Sequence, residues 1–296
     1  MSLLGIVLVG CNNGNFDEPG DPNDPTGQQD PTGLPEPAAN EIYYTTPLGQ
    51  LLDFSWADWY SSVISHYVKD KSYCVVTFPA SVREIYQFTA EEDLLSVRLP
   101  YGVQSIGDWA FDECYDLQSV SIPNSVTEIG EGAFFCCHNL RSISIPNSVT
   151  KIGRAAFRDC YQLHSVSIPN LVTKIEEQVF DGCESLQSVS IPNSVTEIGE
   201  RAFSDCDLQS IAVPESVKMI GVEAFRGNSN LRSVYCKSKT PPVLDFADYY
   251  DCGVFDYAHE SMVIYVPTES VQAYKNAEGW SSYESRIKGY DFSAKE

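Results

Sequence analysis

The chain has 296 residues, 43% apolar and 20% charged, which excludes a mini-protein and a wholly disordered chain and leaves room for a sizeable core. Lys and Arg number 19 against 41 Asp and Glu, a formal charge of −22 and the opposite of what phosphate neutralisation requires, so no nucleic-acid partner is expected. No apolar run reaches the roughly 18 residues that a membrane-spanning helix needs.

In chain order, residues 1–11 come first: apolar Met1 to Val9 runs into Leu8-Val9-Gly10-Cys11. This resembles a bacterial lipobox, in which a small residue before the Cys admits the signal peptidase and the thiol takes a diacylglycerol. The resemblance implies lipidation at Cys11; the alternative is a frayed apolar chain end. Residues 12–40 hold six prolines, four glycines, six acidic and no basic residues, and read as a disordered acidic tether reaching at most about 90 Å. Residues 41–102 are expected to form an N-terminal cap. Within it, Trp56, Tyr60, Val63, Ile64 and Tyr67 fall at helical spacing, which predicts the buried face of a capping helix.

From Val103 to about residue 236 one pattern recurs, Val-x-x-Ile-x-x-x-Ala-Phe-x-x-Cys-x-x-Leu-x-Ser-Val-x-Ile-Pro-x-Ser. Its Val column is Val103, Val126, Val149, Val172, Val195 and Val217, and its Phe column is Phe111, Phe134, Phe157, Phe180, Phe203 and Phe225. A degenerate copy, with Val82, Ile85, Val97, Leu99 and Pro100, precedes it. Leu-x-x-Val-x-Ile predicts a short strand with alternate residues inward, and Gly-x-x-Ala-Phe a tight helical turn that closes the coil. The fold class is therefore α/β: a leucine-rich repeat right-handed solenoid with a parallel sheet on one side, β-rich with short helical turns, capped at both ends. Residues 237–296 are the expected C-terminal cap.

The Ala-Phe-x-x-Cys-x-x-Leu and Ile-Pro-Asn-Ser-Val signatures resemble the 23-residue leucine-rich repeats of BspA-like bacterial surface proteins. In that likeness, Glu41 to Thr46 looks like the N-terminal capping strand, and Val263 to Pro267 with Tyr274 and Trp280 looks like the C-terminal cap. It implies display at the cell surface or outer membrane of a Gram-negative bacterium through a lipid anchor, or secretion, with adhesion to host or neighbouring-cell protein ligands.

Of ten cysteines, Cys114, Cys137, Cys160, Cys183 and Cys206 share one column and read as buried thiols packing like small apolar residues, with Asn228 in the next place. Cys136 stands in a column otherwise holding Glu113, Asp159, Gly182, Asp205 and Gly227, and is expected to face solvent. Cys236 and Cys252 are close enough in sequence to bridge, although spacing alone does not establish it. The four histidines have no paired metal spacing, and no phosphate loop, dinucleotide fingerprint or nucleophile elbow occurs, so no catalytic residue, metal or cofactor is expected.

On the strand face opposite the core, Ser119 and Ser121 are followed by Ser142 and Ser144, Ser165 and Ser167, Ser188 and Ser190, Ser210 and Ala212, then Ser233 and Tyr235. Variation enters beside them, at Arg141, His164 and Arg232, and Tyr235 adds an aromatic anchor. Arg232 and Tyr235 are the expected anchors of a protein ligand, with Arg141 and His164 along the same edge. Tyr249 and Tyr250, in an acidic aromatic segment with Phe246, Phe255 and Tyr257, either pack under the last coil or present a patch for a sugar or protein. An alternative function is therefore surface glycan binding through cap aromatics. A third is a hydrolase with a carboxylate pair in the caps.

Overall fold

A computed structural model describes residues 30–46, 65–69, 73–78, 80–86, 93–245 and 253–293. Cys11, Trp56, Trp59, Tyr60, Tyr249, Tyr250 and Cys252 lie outside these.

Each repeat draws a coil with three sides that stack on those of the next coil, the strand ladder of the first side being broken at residues 142–144. On the first, the Ser-Val-Ser strands lie parallel and one repeat apart, as Ser165–Ser167 on Ser188–Ser190, with Val166 opposite Val189. On the second, two-residue strands such as Glu128–Ile129 and Lys151–Ile152 pair in parallel and send Ile129 and Ile152 inward. A Pro-x-x-Val turn joins the two sides, with the Val149 N–H donating to the Pro146 carbonyl at 3.0 Å. The interior is a set of ladders. Phe111, Phe134, Phe157, Phe180, Phe203 and Phe225 are fully buried and nearly parallel, with centroids 5.1 to 5.5 Å apart.

The closing side is the expected tight turn, but its hydrogen bonding is not that of a helix. Two residues per coil have left-handed backbone: Trp109, Ala155, Gln178, Arg201 and Glu223 (with Gly132) in one column, and Glu113, Cys136, Asp159 and Asp205 (with Gly182 and Gly227) in the other. In a helix the N–H groups would bond within the coil. Here Ala155, Phe157 and Asp159 donate instead to the carbonyls of Glu177, Val179 and Asp181 in the next coil, at 2.8 to 2.9 Å. The left-handed residues at either end of this triplet accompany that outward turn. Each non-glycine there costs on the order of 1 kcal/mol, offset by the inter-coil bonds it permits.

Glycine is required on the second side. Gly107, Gly130, Gly153, Gly199 and Gly221 donate to the Ile carbonyl of the preceding coil at 2.7 to 2.8 Å, and a Cβ on Gly153 would lie 2.5 Å from the Glu131 nitrogen. Glu176 occupies this column in one coil, and there the two-residue strands separate: Lys151–Ile152 ends one four-stranded sheet and Lys174–Ile175 begins another. The rung that each glycine makes is missing at Glu176, although the neighbouring Glu177 carbonyl still accepts from the Ala155 N–H at 2.9 Å.

The degenerate copy is a coil of the solenoid, since Glu84–Ile85 pairs with Ser105–Ile106 and Ser96–Arg98 with Ser119–Ser121, both in parallel. Beyond it Glu41–Thr45 is antiparallel to Ser96–Arg98 and to Tyr73–Thr77. Tyr67, the last residue of the expected helical face, lies instead in the strand Ser65–Lys69, paired with Val75, while Trp56, Tyr60, Val63 and Ile64 lie outside the described residues. Pairing at the sheet edge overrides helical spacing in a segment rich in residues that also suit a strand. Part of the expected tether is also held in place. Leu34 is buried with Tyr43 and Val75, and Arg98 bonds the Leu34 carbonyl, Glu36 and, at 3.3 Å, Asp30. Asp30 and Glu36, the acidic residues of this stretch that are described, thus both pair with Arg98.

At the other end the ladders continue past the last full repeat. Val243–Leu244 pairs with Met219–Ile220, and Phe255 stacks on Phe225 at 5.6 Å as a seventh ring. Val263–Pro267 pairs with Ser233–Cys236, and the chain then passes through a short helix, Val271–Asn276, and a 3-10 turn, Trp280–Arg286, to return as the parallel strand Ile287–Tyr290. Tyr274 and Trp280 are fully buried and close the core, bonding the carbonyls of Ser238 (2.9 Å) and Pro242 (2.7 Å).

Candidate functional site

The cysteine column carries structure. Cys137, Cys160, Cys183 and Cys206 are buried, and each thiol donates to a Phe carbonyl of the preceding coil at 3.1 to 3.2 Å. Asn228 continues the column and donates to the Phe203 carbonyl at 2.8 Å. Burial pushes these thiols up, away from the reactive thiolate. Cys236 is a buried free thiol, and its expected partner Cys252 lies outside the described residues. Among the described residues no group of three or more His, Cys, Asp and Glu is placed to hold a metal.

Cys136 is only partly exposed. Burial, then Asp159, Asp112 and Glu113, push its thiol up to about 11. Its alkylation at pH 8 is expected to run roughly a hundredfold slower than that of an unhindered cysteine, because the thiolate is scarce. Peptide mapping after a timed iodoacetamide pulse measures this, and labelling at the ordinary rate would refute the buried setting. Beside it Tyr115, His138 and Tyr161 stack in a ladder at 4.8 and 4.4 Å. Burial lowers the His138 pKa.

The closing side carries cross-coil ion pairs. Arg154 reaches Glu131 and Glu177, and Arg201 reaches Asp181, Asp205 and Glu223. Arg226 lies 4.9 Å from the Tyr257 ring. Of these ion pairs, all but Arg201–Asp205 join successive coils; those of Arg154 are open to water and contribute little each, whereas Asp181, only 4% exposed, is buried between Arg158 and Arg201.

The strand face is different. Ser165, Ser167, Ser188, Ser190, Ser210 and Ala212 are exposed and uncharged. At the C-terminal end this uniform surface meets an aromatic cluster, because parallel pairing places Ala212 beside Tyr235 and Tyr235 beside Tyr265, with Lys288 following. The Tyr235 and Tyr265 rings stack at 5.0 Å, and Tyr290 lies edge-on to both at 5.5 and 5.6 Å. Phe292 backs Tyr290 at 4.9 Å.

Sequence comparison of the repeats finds Tyr235 but misses Tyr265, Tyr290 and Phe292. For Tyr265 the signal was present, since buried Ile264 and Val266 on either side turn it outward. Arg232 is exposed on the same strand segment as Tyr235, with its guanidinium 3.2 Å from His259 Nδ1. Arg141 and His164 are exposed neighbours in successive coils, joined by a backbone bond of 3.2 Å, and Gln187 and Gln209 separate them from Arg232. The expected residues thus form two groups along one edge, Arg141 with His164 and, at the aromatic end, Arg232 with Tyr235. Of the cap aromatics, Phe255 is buried and Tyr257 is exposed.

The chain matches the model of the BspA type Leucine rich repeat region in six copies, over residues 67–176 and 150–252. Among solved structures, a leucine-rich repeat protein from Bacteroides ovatus is 22% identical, over 69% of this chain and 62% of that one, with a TM-score of 0.41. The T. pallidum Leucine Rich Repeat protein is 26% identical over 60% and 73%, with a TM-score of 0.45. A leucine rich cell surface protein from Faecalibacterium prausnitzii is 24% identical over 73% and 64%, with a TM-score of 0.31. The chain thus spans less than two thirds of the Bacteroides and Faecalibacterium chains. No curated protein matches it.

Proposed function

Because this chain belongs to the BspA-type leucine-rich repeat family, we propose that it is a non-catalytic binding scaffold, displayed outside a Gram-negative cell from a lipid on Cys11. Its task is adhesion to a ligand of a host or neighbouring cell, held at the C-terminal end of the strand face. The observation that carries this reading is the change in surface there, from uniform serine to the cluster of Tyr235, Tyr265 and Tyr290. Binding energy concentrates in buried-edge aromatics and Arg, whereas a repeated hydroxyl surface supplies weak multipoint contact. The stacked coils make the sheet rigid, so little ordering is lost on docking.

Full-length chain carrying Cys11→Ser, immobilised and screened against matrix proteins and glycans, tests the proposal. Arg232→Glu with Tyr235→Ala is expected to weaken the ligand found by at least about 2 kcal/mol. Unchanged affinity in a folded variant would move the site off this end of the sheet.

A further inference from the structure

The join between serine surface and aromatic cluster has the shape of a step, and its chemistry selects a ligand class. Tyr235 and Tyr265 are only 15° from parallel at 5.0 Å, close to the spacing of about 4.8 Å between paired strands. Their planes therefore lie across the solenoid axis. One face of Tyr235 is covered by Tyr265. The other looks over Ala212, its partner in register, which offers a single methyl group. Tyr290, edge-on to both rings, fixes this wall in place.

The floor in front of the wall is Ala212, Ser210 and, one coil further, Ser190, all exposed. A pyranose carries aliphatic C–H bonds on its faces and hydroxyls around its rim. Against this step its face meets the open side of Tyr235 while its rim hydroxyls meet the serines, which both donate and accept. Charge narrows the class. The floor has no charged residue, and the chain as a whole carries −22, so a polyanion is repelled at range and an ionic peptide finds no partner on the floor. Two lysines, Lys237 and Lys288, are exposed near the wall, the second in register with Tyr265.

We propose that Tyr235 is the stacking platform for a neutral polysaccharide, whose chain runs along the solenoid axis over Ala212, Ser210 and Ser190. This rests on the adhesion reading above and names its ligand class.

The test is retardation of the full-length Cys11→Ser chain in native gels containing dextran, amylose, a β-1,3-glucan, mannan or a neutral galactan. Polygalacturonate and heparin serve as polyanions and gelatin as a protein. Retardation by at least one neutral polymer is expected, equal at low and high salt because no ion pair is involved. Tyr235→Ala and Ala212→Glu should each weaken it by at least about tenfold, the second by filling the step while leaving the ring in place. Tyr235→Trp and Ala212→Ser should retain it. Retardation by polyanions alone, abolished by salt, would overturn the proposal in favour of Lys237 and Lys288. Binding to gelatin through Tyr235 with no neutral polymer retained would overturn the glycan class and leave adhesion standing, whereas binding to none of the probes would count against both. A neutral polymer held equally well by Tyr235→Ala would place the sugar elsewhere.

Discussion

Phe157→Ala is expected to cost about 3 to 5 kcal/mol, the range for a fully buried Phe truncation that the surroundings cannot refill. The ring is wholly inaccessible and lies between Phe134 and Phe180, 5.3 and 5.4 Å away and within 4° of parallel to each. Those neighbours are pinned by inter-coil backbone bonds on the same segment, Phe134 to Ala156 and Phe180 to Ala202, so the cavity cannot close. Each coil touches only the coils beside it, so the damage should stay local. Urea denaturation measures the loss, and hydrogen exchange should show faster opening in the coils around residue 157 with the two ends unaffected. A loss below about 1 kcal/mol would mean that the Phe ladder does not hold the array together.

Gly153→Ala is expected to cost about 2 to 4 kcal/mol, and Glu176→Ala, in the same column one coil later, less than about 1 kcal/mol. At Gly153 the new Cβ would sit 2.5 Å from the backbone of Gly130 and Glu131, which cannot move aside as a side chain could. Relief requires the coils to part, with loss of the bond from the Gly153 N–H to the Ile129 carbonyl, now 2.8 Å. At Glu176 the corresponding rung is already missing in the native protein, since the two-residue sheet is interrupted between Ile152 and Lys174, so the substitution has no such bond to break. Thermal melts of the two variants side by side decide the matter. Equal costs would mean that the interruption has another cause than the side chain at Glu176.

The sequence by itself determined the period, the inward columns and the family, because a solenoid repeats one local problem: a column that is apolar in every unit has to be the interior of every coil. By the same logic, comparing units found Arg232 and Tyr235 as departures from a uniform face. Three things needed the tertiary structure. The closing segment is a turn with two left-handed residues where Gly-x-x-Ala-Phe suggested a helical one, since alternate N–H groups have carbonyl partners in the next coil that no single repeat contains. Tyr67 belongs to a strand, since helical spacing in a short aromatic segment is overridden by the edge of a neighbouring sheet. The wall of Tyr235, Tyr265 and Tyr290 assembles from three strands, the last of which returns only after Val271–Asn276 and Trp280–Arg286. That crossover follows no repeat, and the meeting of distant residues it brings about depends on strand pairing, which local pattern does not encode.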